Sequence, residues 1–151
     1  MRHTLFGVAS AALALACLQA SYARAEVLIT KAEAELPTPA KFAATTRGLT
    51  RGPGIEQLSP SSNQRVTSPL SFKIKFVTRN NVEIDPASVK LIYLKSQPID
   101  LTERIKPHIS AAGIAMNQAE VPPGTHVLQL DVSDLQGRNG TAIIKLNVAG
   151  K

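Results

Sequence analysis

From Ile55 onward, apolar and polar side chains alternate with a period of two. Leu70, Phe72, Ile74 and Phe76 are separated by Ser71, Lys73 and Lys75, so an extended strand here has one apolar face and one that meets water. Thr78 to Asn81 supplies the turn after it. Leu128, Leu130 and Val132 alternate with Gln129 and Asp131, and Ala142, Ile144, Leu146 and Val148 alternate with Ile143, Lys145 and Asn147. Between these two runs Asp134 to Gly140 is dense in turn formers, which predicts an antiparallel hairpin.

The middle of the chain carries weaker signals. Val89 to Lys95 is β-branched and apolar enough for a strand, and Asp85 before Pro86 is spaced to cap one helical turn. Asp100-Leu101-Thr102-Glu103 predicts a second helical turn that Pro107 ends. Ile109 to Met116 reads as a short strand containing Gly113, and Val121-Pro122-Pro123-Gly124 as a turn leading into the strand at Val127. The pattern predicts an all-β chain of about seven short strands over roughly a hundred residues, the size of one antiparallel β-sandwich.

Ahead of this region the composition changes. Arg2 and His3 precede an apolar stretch from Leu5 to Leu18, and Ala23-Arg24-Ala25 then offers the small-x-small pattern of signal-peptidase cleavage. Residues 1–25 are therefore expected to be a signal peptide, with a mature chain that starts at Glu26 and is periplasmic or secreted. The apolar run is shorter than the roughly 20 residues of a membrane span. Ala14-Leu15-Ala16-Cys17 is a minority alternative, a loose lipobox that would anchor the chain by lipid at Cys17. Residues 26–53 are rich in small residues and proline and contain the duplication Thr46-Arg47-Gly48 and Thr50-Arg51-Gly52, which predicts an extended or flexible leader before a sandwich over 54–151. Inside it, Thr30 stands three residues before Glu33 in capping-box spacing, so one helical turn is expected, stopped by Pro37.

Ile55-Glu56-Gln57-Leu58-Ser59-Pro60, the Ser68-Pro69 strand entry, the run from Pro123-Gly124 to Ser133-Asp134, and Gly137 together resemble the immunoglobulin-like domains of exported bacterial proteins. The resemblance covers about residues 54–149 and implies an immunoglobulin-like sandwich. It implies little about function, because such sandwiches host many. The chain has no tryptophan and a single cysteine, so the antibody-type hallmarks are missing.

Candidate chemistry is sparse. Cleavage after residue 25 removes two arginines and no acid, lowering the net charge from +6 to +4, too little and too scattered for a nucleic-acid binder. Beyond that site the imidazoles are His108 and His126, outside any catalytic motif, and Ser59, Ser61 and Ser62 sit in a turn where hydroxyls cap backbone groups. No enzyme and no cofactor is expected. His108, Met116 and His126 are the copper candidates; the plainer expectation is that no metal binds, that Met116 fills the core and that His126 bonds to backbone at a strand entrance. Asp131 and Asp134 suggest a solvated edge and a turn former more than calcium. Beyond residue 25 the aromatics are Phe42, Phe72, Phe76 and Tyr93; alternation turns Phe72 and Phe76 inward and leaves Tyr93 at best, which disfavours sugar stacking. Asn139-Gly140-Thr141 matches a glycosylation sequon, but turn geometry accounts for it. Lys73, Lys75 and Arg79 are basic residues that would face an acidic partner or guard a strand edge.

The expected function is a non-enzymatic periplasmic or secreted interaction or structural module whose partner is another exported or envelope protein, with no nucleic acid and no membrane span. The alternative is a periplasmic small-ligand or copper-binding carrier. The purified mature protein is expected to start at Glu26 and to melt at the same temperature with and without reductant, because Cys17 has left with the signal peptide. Intact mass and a melting curve check this; a lipid-modified Cys17 would contradict it.

Overall fold

The computed structural model describes residues 24–39 and 51–150. Residues 1–23 of the expected signal peptide, with Cys17, lie outside the described residues, as do Phe42 and most of the Thr-Arg-Gly duplication.

The two-residue period is realised as two packed sheets. The first has the order β1-β8-β4-β2, formed by β1 (Glu26–Val27), β8 (Gly113–Glu120), β4 (Leu70–Val77) and β2 (Gly54–Ser59), with β7 (Ile109–Ser110) also beside β8. The second has the order β3-β10-β9-β5-β6, formed by β3 (Arg65–Thr67), β10 (Asn139–Ala149), β9 (Gly124–Asp134), β5 (Ile84–Tyr93) and β6 (Ile99–Asp100). This is an all-β sandwich, and its two-sheet layout is compatible with an immunoglobulin-like domain. Six of its strands are long, and four contain only two or three residues. The pairing is not wholly antiparallel as expected, because β1 runs parallel to β8 and β3 parallel to β10.

Leu70, Phe72, Ile74 and Phe76 of β4 face Leu128, Leu130 and Val132 of β9 and Ile144, Leu146 and Val148 of β10 across the interior, all buried. Ala142 is only half buried and packs against the rim of this core. Lys73 and Lys75 point outward as the alternation requires. They do not guard an edge, however, since β4 lies between β2 and β8. Lys75 stands directly opposite Glu56 of β2, a favourable cross-strand pair of charges. Arg79 is exposed in the turn after β4, where Asn80 and Asn81 both adopt left-handed φ values of 54° and 55° and Arg79 bridges to Val82. Two left-handed residues in succession are the requirement of a tight hairpin turn, and asparagine tolerates them better than most residues.

Three expectations are corrected in detail. Asp85 caps no helical turn; its Oδ1 accepts from Ala87 N at 3.0 Å inside β5, where the pairing with β9 shifts register between Asp85 and Lys90, and the Ser88 hydroxyl fills the gap by accepting from Ser133 N at 2.8 Å. Pro107 does not end the helical turn α2 (Thr102–Ile105) but sits in the 3₁₀ turn Lys106–His108 that continues it, at a first-turn position where no N–H is needed. Ile109 to Met116 is not one strand. The chain folds back between β7 and β8 at Gly113, whose φ of 150° and close approach to the Ile74 carbonyl leave no room for a side chain.

The β9–β10 hairpin forms as predicted. Asp134 organises it, its buried carboxylate accepting from Gln136 N, Arg138 N and Arg138 Nε at 2.7–3.0 Å, with Gly137 at φ 74°. The loop thus lies before Asn139-Gly140, and Gly140 is demanded by the Pro53 carbonyl packed against it instead of by a turn.

Residues 26–39 depart most from the leader expected of them. Leu28 and Ile29 are 0% and 2% exposed and belong to the central core. Their amides both donate to Glu120 O at the end of β8, at 2.9 and 3.2 Å. The helix α1 (Lys31–Glu35) follows with the predicted capping box: Glu33 N donates to Thr30 Oγ1 at 3.3 Å and Thr30 N to Glu33 Oε2 at 2.9 Å. This segment is a strap folded onto the sandwich.

Phe72→Ala is expected to cost about 3–5 kcal/mol through lost burial and an unfilled cavity, whereas Lys73→Ala next to it costs under about 0.5 kcal/mol. Urea denaturation of the two variants checks the strand register, which equal costs would refute.

Candidate functional site

The helix of the strap, α1, has five residues, none of them buried, and is too short to persist alone. Two cations of the sandwich hold it. Arg104, from α2, grips the Glu33 carboxylate with both terminal nitrogens at 2.8 and 2.6 Å and also donates from Nη1 to Leu28 O at 2.9 Å. The two-pronged geometry is the strong form of an ion pair. It holds the Glu33 carboxyl down at about 2 against the cost of burial, helped by the Thr30 hydrogen bonds.

Lys95, just past β5, is 6% exposed and, among the described residues, has no carboxylate partner. Its Nζ donates to Ala34 O at 2.8 Å, Leu36 O at 2.9 Å and Thr38 Oγ1 at 3.2 Å, so all three ammonium protons are used on the end of α1. Cations are favoured at helix C-termini, where carbonyls lack intrahelical partners. Burial lowers its pKa. Beside it, Ser96 N donates to Pro37 O at 2.9 Å.

Lys95 Nζ lies 5.1 Å from the centre of the Tyr93 ring, a cation over an aromatic face. Tyr93 is buried, which removes it as a sugar-stacking platform. Burial and the nearby Glu33 charge push its phenol up to about 12. Its hydroxyl lies 2.8 Å from His126 Nδ1, and His126 Nε2 lies 2.8 Å from Pro122 O. A carbonyl only accepts, so Nε2 carries the proton and the Tyr93 hydroxyl donates to Nδ1. The imidazole is neutral, and burial lowers its pKa, with the Lys95 charge adding to the effect and the Pro122 carbonyl opposing it.

The three copper candidates are committed elsewhere. Met116 is fully buried in β8. His126 is bonded as just described, and His108 Nε2 meets Glu26 Oε2 of β1 at 2.6 Å. Among the described residues no three His, Cys, Asp or Glu side chains gather as metal ligands. Asp131 accepts from Gln129 Nε2 and from the Thr141 hydroxyl, and Asp134 serves the hairpin. The Ser61 and Ser62 hydroxyls donate to Gln64 and Gln57. Lys73, Lys75 and Arg79 lie on or beyond the outer face of the first sheet.

An open groove of about 630 Å³ appears where the strap meets the sandwich. One wall is the strap, with Val27, Ile29, Thr30 and Lys31; the other is Val121, Pro122 and Pro123 between β8 and β9, with Pro69, Ala149 and Glu120 completing it. Val27 is 43% exposed, an apolar side chain left in water on a strand that ends its sheet. The same Pro122 whose carbonyl holds His126 also lines the groove. Sequence reasoning missed this site, along with Lys95 and Arg104. The signal available was the unbroken Val27-Leu28-Ile29 run at the start of the expected leader, an apolar triplet that water would not leave extended.

No family model matches the chain, and neither a curated protein nor a solved structure matches it.

The buried pair fixes a pH dependence. A folded imidazole held below its ordinary 6.5 contributes stability that is complete above pH 6.5 and lost as pH falls through the lower folded value. Glu33, held at about 2 against an ordinary 4.5, adds a loss that sets in below pH 4.5. Urea unfolding is expected to give a plateau above pH 6.5 and a decline as the pH falls below 6.5. His126→Gln is expected to lower the plateau by about 1–3 kcal/mol and to flatten that decline; an unchanged slope would contradict the assignment.

Proposed function

We propose that this chain is an exported, non-enzymatic interaction module built on an immunoglobulin-like sandwich, and that it takes an extended apolar segment of a partner protein into the groove beside β1. The observation that carries this reading is the coincidence of an apolar groove with an open strand end at Val27. An extended chain adding to β1 finds main-chain hydrogen-bonding groups along the strand, and a hollow beside it sized for side chains. Contiguous exposed apolar surface on a small domain is characteristic of contact sites. The two imidazoles and the acids at 131 and 134 are occupied by structural hydrogen bonds, which supports a binding role over a catalytic one. A periplasmic or secreted location follows from the expected signal peptide and fits the proposal, since such a partner is another exported or envelope protein.

A benzophenone amino acid placed at position 27, irradiated in the native host, is expected to give a discrete adduct to a second protein. The same group at position 75, on the outer face of the first sheet, is expected to give none. An adduct at twice the mass of the chain would assign the groove to a second copy and overturn the partner-protein reading, as would the absence of any adduct or equal labelling from both positions.

A further inference from the structure

A second hollow, of about 370 Å³, opens on the outer face of the other sheet and is lined by Asn63, Arg65, Gly124, Thr125, Asn147 and Val148. It is polar where the groove is apolar. Thr125, Asn147 and Arg65 stand side by side across β9, β10 and β3, because Asn147 is in register with Thr125 on one side and with Arg65 on the other. The Thr125 hydroxyl donates to Asn147 Oδ1 at 3.1 Å, which fixes the amide with its nitrogen turned away, toward Ser62 O at 3.4 Å. Arg65 is exposed, and among the described residues its guanidinium has neither an ion pair nor a hydrogen bond. Lys145, two residues before Asn147 on the same strand face, is equally exposed. Of the acids of this face, Asp131 pairs with Thr141 farther along the strands and is taken up by Gln129 and Thr141, and Asp100 lies on β6 at the far edge of the sheet. The hollow therefore holds a positive charge with no counter-charge.

The hollow and the groove are continuous along the chain. Gly124 and Val148 line the one, and their immediate neighbours Pro123 and Ala149 line the other. A segment seated in the groove passes this junction. We propose that Arg65, flanked by Asn63 and Asn147, reads a carboxylate on the partner segment, one or two residues from the apolar side chain in the groove. The inference rests on the interaction-module reading and names the partner chemistry it requires: an extended peptide with an apolar residue beside an aspartate, a glutamate or its own C-terminal carboxylate. A planar guanidinium meets a planar carboxylate through two parallel hydrogen bonds, a match that a lysine ammonium does not reproduce. The net positive charge of the chain favours the same partner.

Selection of a randomised decapeptide display library on the purified protein tests both levels. Enriched peptides are expected to carry an apolar residue with an acid within two positions. Binding of one such peptide, followed by calorimetry, is expected to weaken about 10- to 100-fold with Arg65→Ala, less with Arg65→Lys, and by a similar factor when the peptide acid is replaced by its amide. Arg65→Ala is expected to leave the melting temperature unchanged, because the side chain supports nothing in the fold. Apolar peptides without an acid, or affinities indifferent to Arg65→Ala, would overturn the inference and leave the groove reading standing. Selection of no apolar residue, or binding unaffected by Val27→Asp, would overturn the groove reading and this inference with it. Acidic peptides with no apolar residue, lost in Arg65→Ala, would leave an anion site alone and overturn the joint recognition.

Discussion

Two sheets held face to face without a cross-link depend on the side chains between them meeting without a gap. No cysteine lies among the described residues, so cohesion comes from burial, at roughly 25 cal/mol per Å² of apolar surface. The rows of β4 and β8 against those of β5, β9 and β10 supply most of it. A sandwich is open at its ends and edges, however, and there the strap matters. Leu28 and Ile29 enter the same core as Phe72 and Leu130, so the segment that follows β1 closes the structure instead of leading up to it. Removing the strap would expose the ends of both rows.

That closure explains a buried ammonium that otherwise makes little sense. A lysine without a carboxylate inside a protein is costly, and Lys95 is tolerated because α1 ends directly over it with two carbonyls and a hydroxyl. The dependence runs both ways: α1 is too short to be stable alone, and Lys95 needs its last turn. Arg104 and Glu33 tie the other end of the same helix, so each partner is satisfied only when the strap is down. Such reciprocal satisfaction makes docking cooperative, since a half-docked strap leaves buried polar groups unpaired at the cost of their desolvation.

What the sequence revealed follows the range of the interactions involved. Strand β4, the β9–β10 hairpin and the capping box of α1 were legible because each is written within a few residues, as an alternation, an Asp-x-x-Gly turn or a Thr-x-x-Glu spacing. The setting of His126 was legible too, since a histidine two residues after a proline-glycine turn finds a carbonyl close by. The Lys95 and Arg104 contacts were not, because their partners lie 57 to 76 residues away in the chain, with no local period to mark them. Helical turns were overcalled at Asp85 for a related reason. An aspartate before a proline caps a helix or a strand bulge with the same side-chain hydrogen bond, and pairing with β9 decided between them. The expected leader misled through composition: its proline and threonine content masked the apolar triplet at Val27.

The groove inherits its properties from this arrangement. One wall is the strap, whose position Lys95 and Arg104 set; the other is the Val121-Pro122-Pro123 connection, whose position His126 sets through Pro122 O. Tyr93 links the two, touching His126 through its hydroxyl and Lys95 through its ring. The walls are therefore not independent surfaces that happen to adjoin. Protonation of His126 would reverse its hydrogen bond with Tyr93, because an imidazolium nitrogen must donate where the neutral one accepts, so the contact that joins the two walls is written for the neutral imidazole.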